Sequence, residues 1–146
     1  MMSENTKSGH VVWEGQGLAF QAVGGSGYQL RFDNPSGPQG ASPMELVALA
    51  SAACTASDVI SILQKKQQPV TGFEVNIVGR RASQHPKVFT EIDLEYVVTG
   101  HNVDPKAVER AIELSLTKYC SVNLMLAQVV KINHRYRSVE AEPVAA

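Results

Sequence analysis

The chain is 146 residues long, a length that suits one domain with its own hydrophobic core. Hydrophobic residues make up 44% of the sequence and charged residues 18%, which is enough apolar material for such a core. The formal net charge of -1 excludes a strongly basic surface for nucleic acid and an acidic tail for a basic partner. We predict one domain over residues 1–146, with loose tails at residues 1–10 and 140–146.

The sequence favours a cytoplasmic protein without a metal or a cofactor. The N-terminal residues are polar and lack the charged-then-apolar pattern of a signal peptide. Serine, threonine and aspartate interrupt the most apolar stretch, residues 46–63, so a buried core helix explains it better than a membrane span. The four histidines are too dispersed to indicate a metal site, and two cysteines are too few for a secreted disulfide scaffold. We therefore expect neither a membrane nor nucleic acid as a partner.

The N-terminal part of the chain is predicted to form two or three strands. Apolar residues recur over residues 11–23, and the run Gly24-Gly25-Ser26-Gly27 is typical of a turn. Tyr28, Leu30 and Phe32 then alternate with polar residues, as they do in a strand with one buried face.

A long helix is predicted from residue 42 to about residue 66. Ser42 is a good N-cap, Pro43 is tolerated at the first helical position, and Glu45 completes a capping box. Over residues 46–56 the helix is apolar or small on nearly every side, which is typical of a helix buried all round. A chain of this length has little room to bury such a helix completely, so we expect a homodimer.

The rest of the chain is predicted to hold a β-hairpin, two helices and a last strand. The hairpin strands are expected near residues 73–77 and 88–98, a helix from Asp104-Pro105, a short helix capped by Ser121 over residues 122–128, and a strand over residues 129–139. Strands followed by a helix, a hairpin and further helices indicate the α+β class.

The two cysteines are the candidate reactive residues. A thiol peroxidase needs a thiolate that becomes a sulfenic acid, a cation or donor set that holds the thiolate charged, and a second cysteine that condenses with the sulfenic acid. Cys54 lies on the more polar stripe of the long helix, but Asp58, one turn on, would raise a thiol pKa rather than lower it. Cys120 lies just before a predicted helix N-terminus, where a thiolate gains some stabilisation. The alternative for both cysteines is burial as small hydrophobic residues.

Two segments around these cysteines resemble the OsmC/Ohr family. They read Ser42-Pro43-Met44-Glu45-Leu46 through Ala52-Ala53-Cys54-Thr55 and Glu113-Leu114-Ser115 through Lys118-Tyr119-Cys120-Ser121-Val122. The resemblance extends from about residue 13 to residue 139. It implies an intertwined α+β homodimer with antiparallel sheets, a long central helix and active sites at the subunit interface.

The activity that the resemblance implies is thiol-dependent reduction of organic hydroperoxides, in defence against oxidative stress. By the match, Cys54 takes the peroxidatic position and Cys120 the resolving position. The implied reductant is a dithiol, often lipoyl-linked or a small molecule.

The sequence departs from the Ohr branch of that family at two positions. Where the branch has an activating arginine after a glycine pair, this chain has Gly24-Gly25-Ser26-Gly27, and Arg31 is the nearest arginine. Met44 occupies the position of the branch's glutamate, while Glu45, one residue later, falls almost opposite Cys54 on an ideal helix. Arg31 and Glu45 are therefore secondary candidates for the site, and the chain resembles an OsmC-like subgroup more than the Ohr branch.

Two functions fit these features. The first is a peroxiredoxin-like thiol peroxidase in which Cys54 attacks, Cys120 resolves, and an apolar pocket at the dimer interface receives the organic hydroperoxide. The second is a non-enzymatic dimer that senses redox state or binds a small apolar ligand, which the missing arginine and the displaced glutamate favour.

Overall fold

The computed structural model describes residues 5–143. Within these residues the chain divides into two compact units, and the division falls between Val47 and Ala48, inside one long helix. The outer parts of the predicted tails, residues 1–4 and 144–146, lie outside the described residues. A single domain therefore stays a prediction.

Within residues 5–47, the first unit contains a three-stranded antiparallel sheet. Its strands, which are adjacent in chain order, are β1 (Gly9–Trp13), β2 (Phe20–Gly24) and β3 (Gln29–Phe32). The turn between β2 and β3 requires Gly27, whose φ of +96° is a conformation that side chains rarely allow. Ala22 is buried, whereas Val11 and Trp13 of β1 are exposed. The prediction of strands in this part of the chain is confirmed.

The long helix is α1 (Pro43–Lys65), and both of its ends agree with the prediction. The Ser42 hydroxyl accepts the backbone N–H of Glu45 at 3.2 Å, as an N-cap does. One stripe of the helix is buried, comprising Ser51, Ala52, Thr55, Val59 and Leu63. The single chain covers only this stripe, in line with the expectation that a chain of this length cannot bury so apolar a helix completely.

Within residues 48–143, the second unit contains a three-stranded mixed sheet. Its strands are β4 (Val70–Arg81), β5 (Phe89–Gly100) and β6 (Lys131–Glu140). The central strand β5 is antiparallel to β4, as expected, and parallel to β6, which the expectation of antiparallel sheets did not include. A parallel neighbour needs a long crossover connection, which the helical segment between β5 and β6 supplies.

The crossover between β5 and β6 is helical throughout most of its length. It consists of α2 (Pro105–Leu114), one π-helical turn (Ser115–Tyr119) and α3 (Ser121–Leu126). The Asp104 side chain accepts the backbone N–H of Lys106, which confirms the predicted start of α2. The N-cap of α3 is Cys120 rather than Ser121, because the Cys120 backbone is extended and its side chain accepts the N–H of Asn123.

Candidate functional site

Cys54 and Cys120 meet where α1 packs beside the start of α3. Cys54 is half-buried in the middle of α1, and Cys120 is fully buried at the cap of α3. The Cys54 Sγ lies 3.8 Å from the Oγ of Ser121, the residue that follows Cys120. No disulfide joins Cys54 to Cys120 in this structure, and the nearby Cys54 thiol raises the pKa of Cys120.

Asn123 provides two hydrogen-bond donors to the Cys120 sulfur. Its backbone N–H lies 3.5 Å from the Cys120 Sγ, and its side-chain amide nitrogen donates to the same sulfur at 3.2 Å. The amide also donates to the backbone carbonyl of Ser51 at 3.1 Å and accepts the Ser51 hydroxyl. Asn123 and Ser51 are both buried, so these hydrogen bonds link α3 to α1 next to the Cys120 sulfur.

The electrostatics of Cys120 favour its neutral form. The pKa of the Cys120 thiol is raised to about 11, with burial as the largest cause and interaction with Cys54 acting in the same direction. The hydrogen bonds from Asn123 lower the same pKa and so oppose burial. In the described part of the chain, neither cysteine has an ion pair or hydrogen bond with a lysine or arginine.

Buried hydroxyl groups form a hydrogen-bonded series, here called the hydroxyl chain, that includes Thr55, the residue after Cys54. The Thr55 Oγ1 is 2.7 Å from the Tyr96 hydroxyl and 2.7 Å from the Ser115 Oγ, and the Ser115 hydroxyl donates to the Asp58 carboxylate at 2.9 Å. Because a carboxylate only accepts, the donor order is fixed as Tyr96 to Thr55 to Ser115 to Asp58. Burial, the largest cause, raises the pKa of Tyr96 to about 12, so its hydroxyl keeps its proton.

A cavity opens on the second unit at Asp58, where the hydroxyl chain ends. It has a volume of about 420 Å³ and is lined by Asp58, Ser61, Ile62, Lys65, Leu114 and Tyr119. Asp58 lies one helical turn after Cys54, on the same face of α1. The cavity therefore offers both apolar and charged groups one helical turn from Cys54, and neither thiol lines it.

Arg31 and Glu45, the two secondary candidates for the site, have other hydrogen-bond partners. The Arg31 guanidinium donates to the Glu14 carboxylate at 2.7 Å and to Asp33 at 3.3 Å, and its pKa is raised mainly by the hydrogen bond to Glu14. Glu45 is exposed at the start of α1, where its backbone N–H is capped by Ser42. A role for either residue in the site stays a prediction.

The sequence analysis missed Asn123 and Ser121 as partners of the thiols, and Ser51 as the partner of Asn123. Asn123 follows Cys120 by three residues, which is the spacing between an N-cap and the N–H that it accepts. That signal was present, but it was assigned to a cap at Ser121. Ser51 and Asn123 are distant in sequence, so only the tertiary structure brings them together. Among residues 5–143 there is no group of three or more potential metal ligands.

Comparisons with known proteins agree with this fold. Residues 36–135 match the family described as OsmC-like protein. Protein YhfA of Escherichia coli K12 is 45% identical over 126 residues, which cover 86% of this chain and 94% of that protein. The chain belongs to the OsmC-like family, as the sequence resemblance predicted.

Two solved structures extend the comparison. A hypothetical protein from Aquifex aeolicus has a TM-score of 0.83 at 30% identity, covering 94% of this chain and 99% of that one. An organic hydroperoxide resistance protein, OsmC, from Legionella pneumophila has a TM-score of 0.67 at 14% identity, covering 96% of this chain and 100% of that one. The second similarity is one of fold.

Proposed function

We propose that the protein is a thiol peroxidase that reduces organic hydroperoxides through Cys54 and Cys120. The observation that supports this most strongly is the meeting of the two cysteines, distant in sequence, in one site between α1 and α3. Two cysteines kept only as small core residues have no need to lie together. The name of the Legionella relative, a hydroperoxide resistance protein, agrees with the proposal.

The roles follow from the exposure of the two sulfurs. Cys54 is the half-buried thiol, so a hydroperoxide reaches it first, whereas Cys120 is fully buried. The Cys54 thiolate attacks the terminal peroxide oxygen, the O–O bond breaks, and the alkoxide takes up a proton to leave as an alcohol. Cys120 then attacks the sulfenic sulfur, an S–S bond forms, and water leaves. An external dithiol, of the lipoyl type in our proposal, reduces the disulfide by two electrons.

The cavity beside Asp58 is the proposed place for the organic part of the hydroperoxide. Ile62, Leu114 and Tyr119 provide apolar contacts there, while Lys65 lies at its polar side. A second subunit completes the site in this proposal, because α1 keeps most of its apolar surface outside the single chain. We propose a cytoplasmic address, where dithiol reductants keep such a pair in turnover.

Turnover of cumene hydroperoxide with dithiothreitol tests the proposal. We expect Cys54→Ser to abolish turnover, and Cys120→Ser to accumulate overoxidised Cys54, detected as added oxygen in the intact mass. Ala53→Ser, which adds a hydroxyl to the neighbouring exposed position of α1, is the matched control and should turn over like the native chain. Full rates with Cys54→Ser would refute the proposal.

The second candidate function is a redox sensor that toggles between dithiol and disulfide without rapid turnover. The raised pKa of Cys120 favours it, because a protonated resolving thiol reacts slowly at neutral pH. Stoichiometric oxidation by peroxide, followed by no further consumption in the presence of dithiothreitol, would favour the sensor over the enzyme.

A further inference from the structure

The side chain of Asn123 is a buried amide that has no role in the reaction steps proposed above. Only 1% of the residue is exposed, and burial of an amide is unfavourable unless its hydrogen bonds are satisfied. An apolar side chain would fill the same place on α3 without that cost. The hydrogen bonds of the amide therefore indicate what the residue does.

The orientation of the amide is fixed by Ser51. The Ser51 backbone carbonyl can only accept, so the amide atom that faces it at 3.1 Å is the nitrogen. The Ser51 hydroxyl donates to the amide oxygen on the other side. With both ends held, the remaining N–H of the amide is directed at the Cys120 sulfur at 3.2 Å.

We propose that Asn123, oriented by Ser51, activates Cys120 as the resolving thiol by donating its side-chain N–H to the sulfur. This inference rests on the thiol peroxidase function proposed above. Cys120 gives up its proton and attacks the Cys54 sulfenic acid; the S–S bond forms as the S–O bond breaks, and the leaving hydroxide takes up that proton to become water. Asn123 stabilises the negative charge that the Cys120 sulfur carries before the attack.

The electrostatics of the site agree with this role. The titratable groups that act on Cys120 are Cys54 of α1 and Tyr96 of β5. Cys54 raises the pKa of Cys120 as burial does, while the backbone and side-chain donors of Asn123 lower it. Among the described residues, Asn123 therefore supplies the donors that oppose burial at this sulfur.

Two measurements on Asn123→Ala test the inference. In a Cys54→Ser background, an NMR titration of the Cβ of ¹³C-labelled Cys120 reports the pKa of this thiol alone. We expect Asn123→Ala to raise that pKa by about one unit, which is about tenfold less thiolate at neutral pH. With Cys54 present and one equivalent of cumene hydroperoxide, the Cys54–Cys120 disulfide should form about tenfold more slowly at neutral pH, because the Cys120 thiolate fraction falls by that factor.

Asn133→Ala is the matched control. Asn133 lies on β6 and donates to the Glu91 and Asp93 carboxylates, away from the thiols, so its loss should leave the pKa of Cys120 unchanged. If Asn123→Ala does not fold, Ser51→Ala replaces it, because it frees the amide oxygen and should raise the pKa in the same direction by less.

A pKa of Cys120 in Asn123→Ala or Ser51→Ala equal to that in Asn133→Ala would overturn the inference. An Asn123→Ala disulfide rate equal to that of Asn133→Ala at neutral pH would also overturn it. The titration needs no peroxide, so it decides the role of Asn123 even where peroxide fails to oxidise Cys54 and the proposed function itself is lost.

Discussion

Cys54 and Cys120 have different partners, and all of these partners are neutral. The Cys120 sulfur accepts two N–H groups from Asn123, while the Cys54 sulfur contacts the Ser121 hydroxyl and interacts with the Cys120 thiol. Neutral donors stabilise a thiolate less than a guanidinium does, because a guanidinium adds a full positive charge. We therefore expect a peroxidase with a modest rate for this chain, whose Arg31 is paired with Glu14 and Asp33.

Ser121→Ala should slow the oxidation of Cys54 about fivefold. The hydroxyl is 3.8 Å from the sulfur, so its hydrogen bond to the thiolate is a long one, with a contribution of about 1 kcal/mol. The measurement is the single-turnover rate of sulfenic acid formation with cumene hydroperoxide, in a Cys120→Ser background. Ser83→Ala, at an exposed loop position, is the control. An unchanged rate in Ser121→Ala would exclude Ser121 as a donor to Cys54.

The sequence predicted the ends of α1 correctly but not its buried polar contacts. Its ends depend on local signals, the cap at Ser42 and the lysine in its last turn, and these were correct. Its buried polar partners depend on contacts between distant residues, such as Thr55 with Ser115 and Ser51 with Asn123. No local pattern encodes such pairs, so they were not predicted.

The π-helical turn and the parallel pairing of β6 also escaped the sequence analysis. The alternation of β5 and β6 indicated strands, but alternation does not specify whether a neighbour is parallel or antiparallel. The π-turn, Ser115–Tyr119, begins at the buried Ser115 and ends just before Cys120. It depends on the packing of the crossover rather than on residue propensities.

Thr55→Val should destabilise the fold more than Tyr96→Phe does. Loss of the Thr55 hydroxyl leaves the Tyr96 hydroxyl buried without an acceptor and costs about 2 kcal/mol, whereas loss of the Tyr96 hydroxyl removes only a donor and costs about 1 kcal/mol. Urea denaturation of the two variants measures both free energies of unfolding. Equal costs, or the reverse order, would show that the hydroxyl chain does not run from Tyr96 to Asp58.

At the scale of the molecule, the apolar surface of α1 is left largely uncovered by the chain itself. The helix is long and apolar enough to cross a membrane by length and composition, and 28% of its most apolar window is buried. Its buried stripe carries Ser51 and Thr55, which bond to α3, the π-turn and β5 and so belong to a folded core. A homodimer that covers the other faces of α1 explains both observations, and proteins of this family are generally homodimers.

Leu49→Glu should weaken or abolish the dimer. Leu49 is on α1 and 51% exposed in the single chain, so a dimer that covers this face would bury the introduced carboxylate without a partner. Sedimentation velocity of the native chain and the variant measures the assembly. Val88→Glu, at an equally exposed apolar position in the loop before β5, is the control and should stay dimeric. A monomeric native chain would contradict the dimer.

The central claim is that Cys54 and Cys120 form one reactive pair. The most direct test is peptide mapping by mass spectrometry after the reduced protein has reacted with one equivalent of cumene hydroperoxide in the absence of a reductant. We predict one disulfide that links the Cys54 peptide to the Cys120 peptide, with one molecule of alcohol released per site. Two free thiols, or Cys54 oxidised while Cys120 stays reduced, would contradict the account.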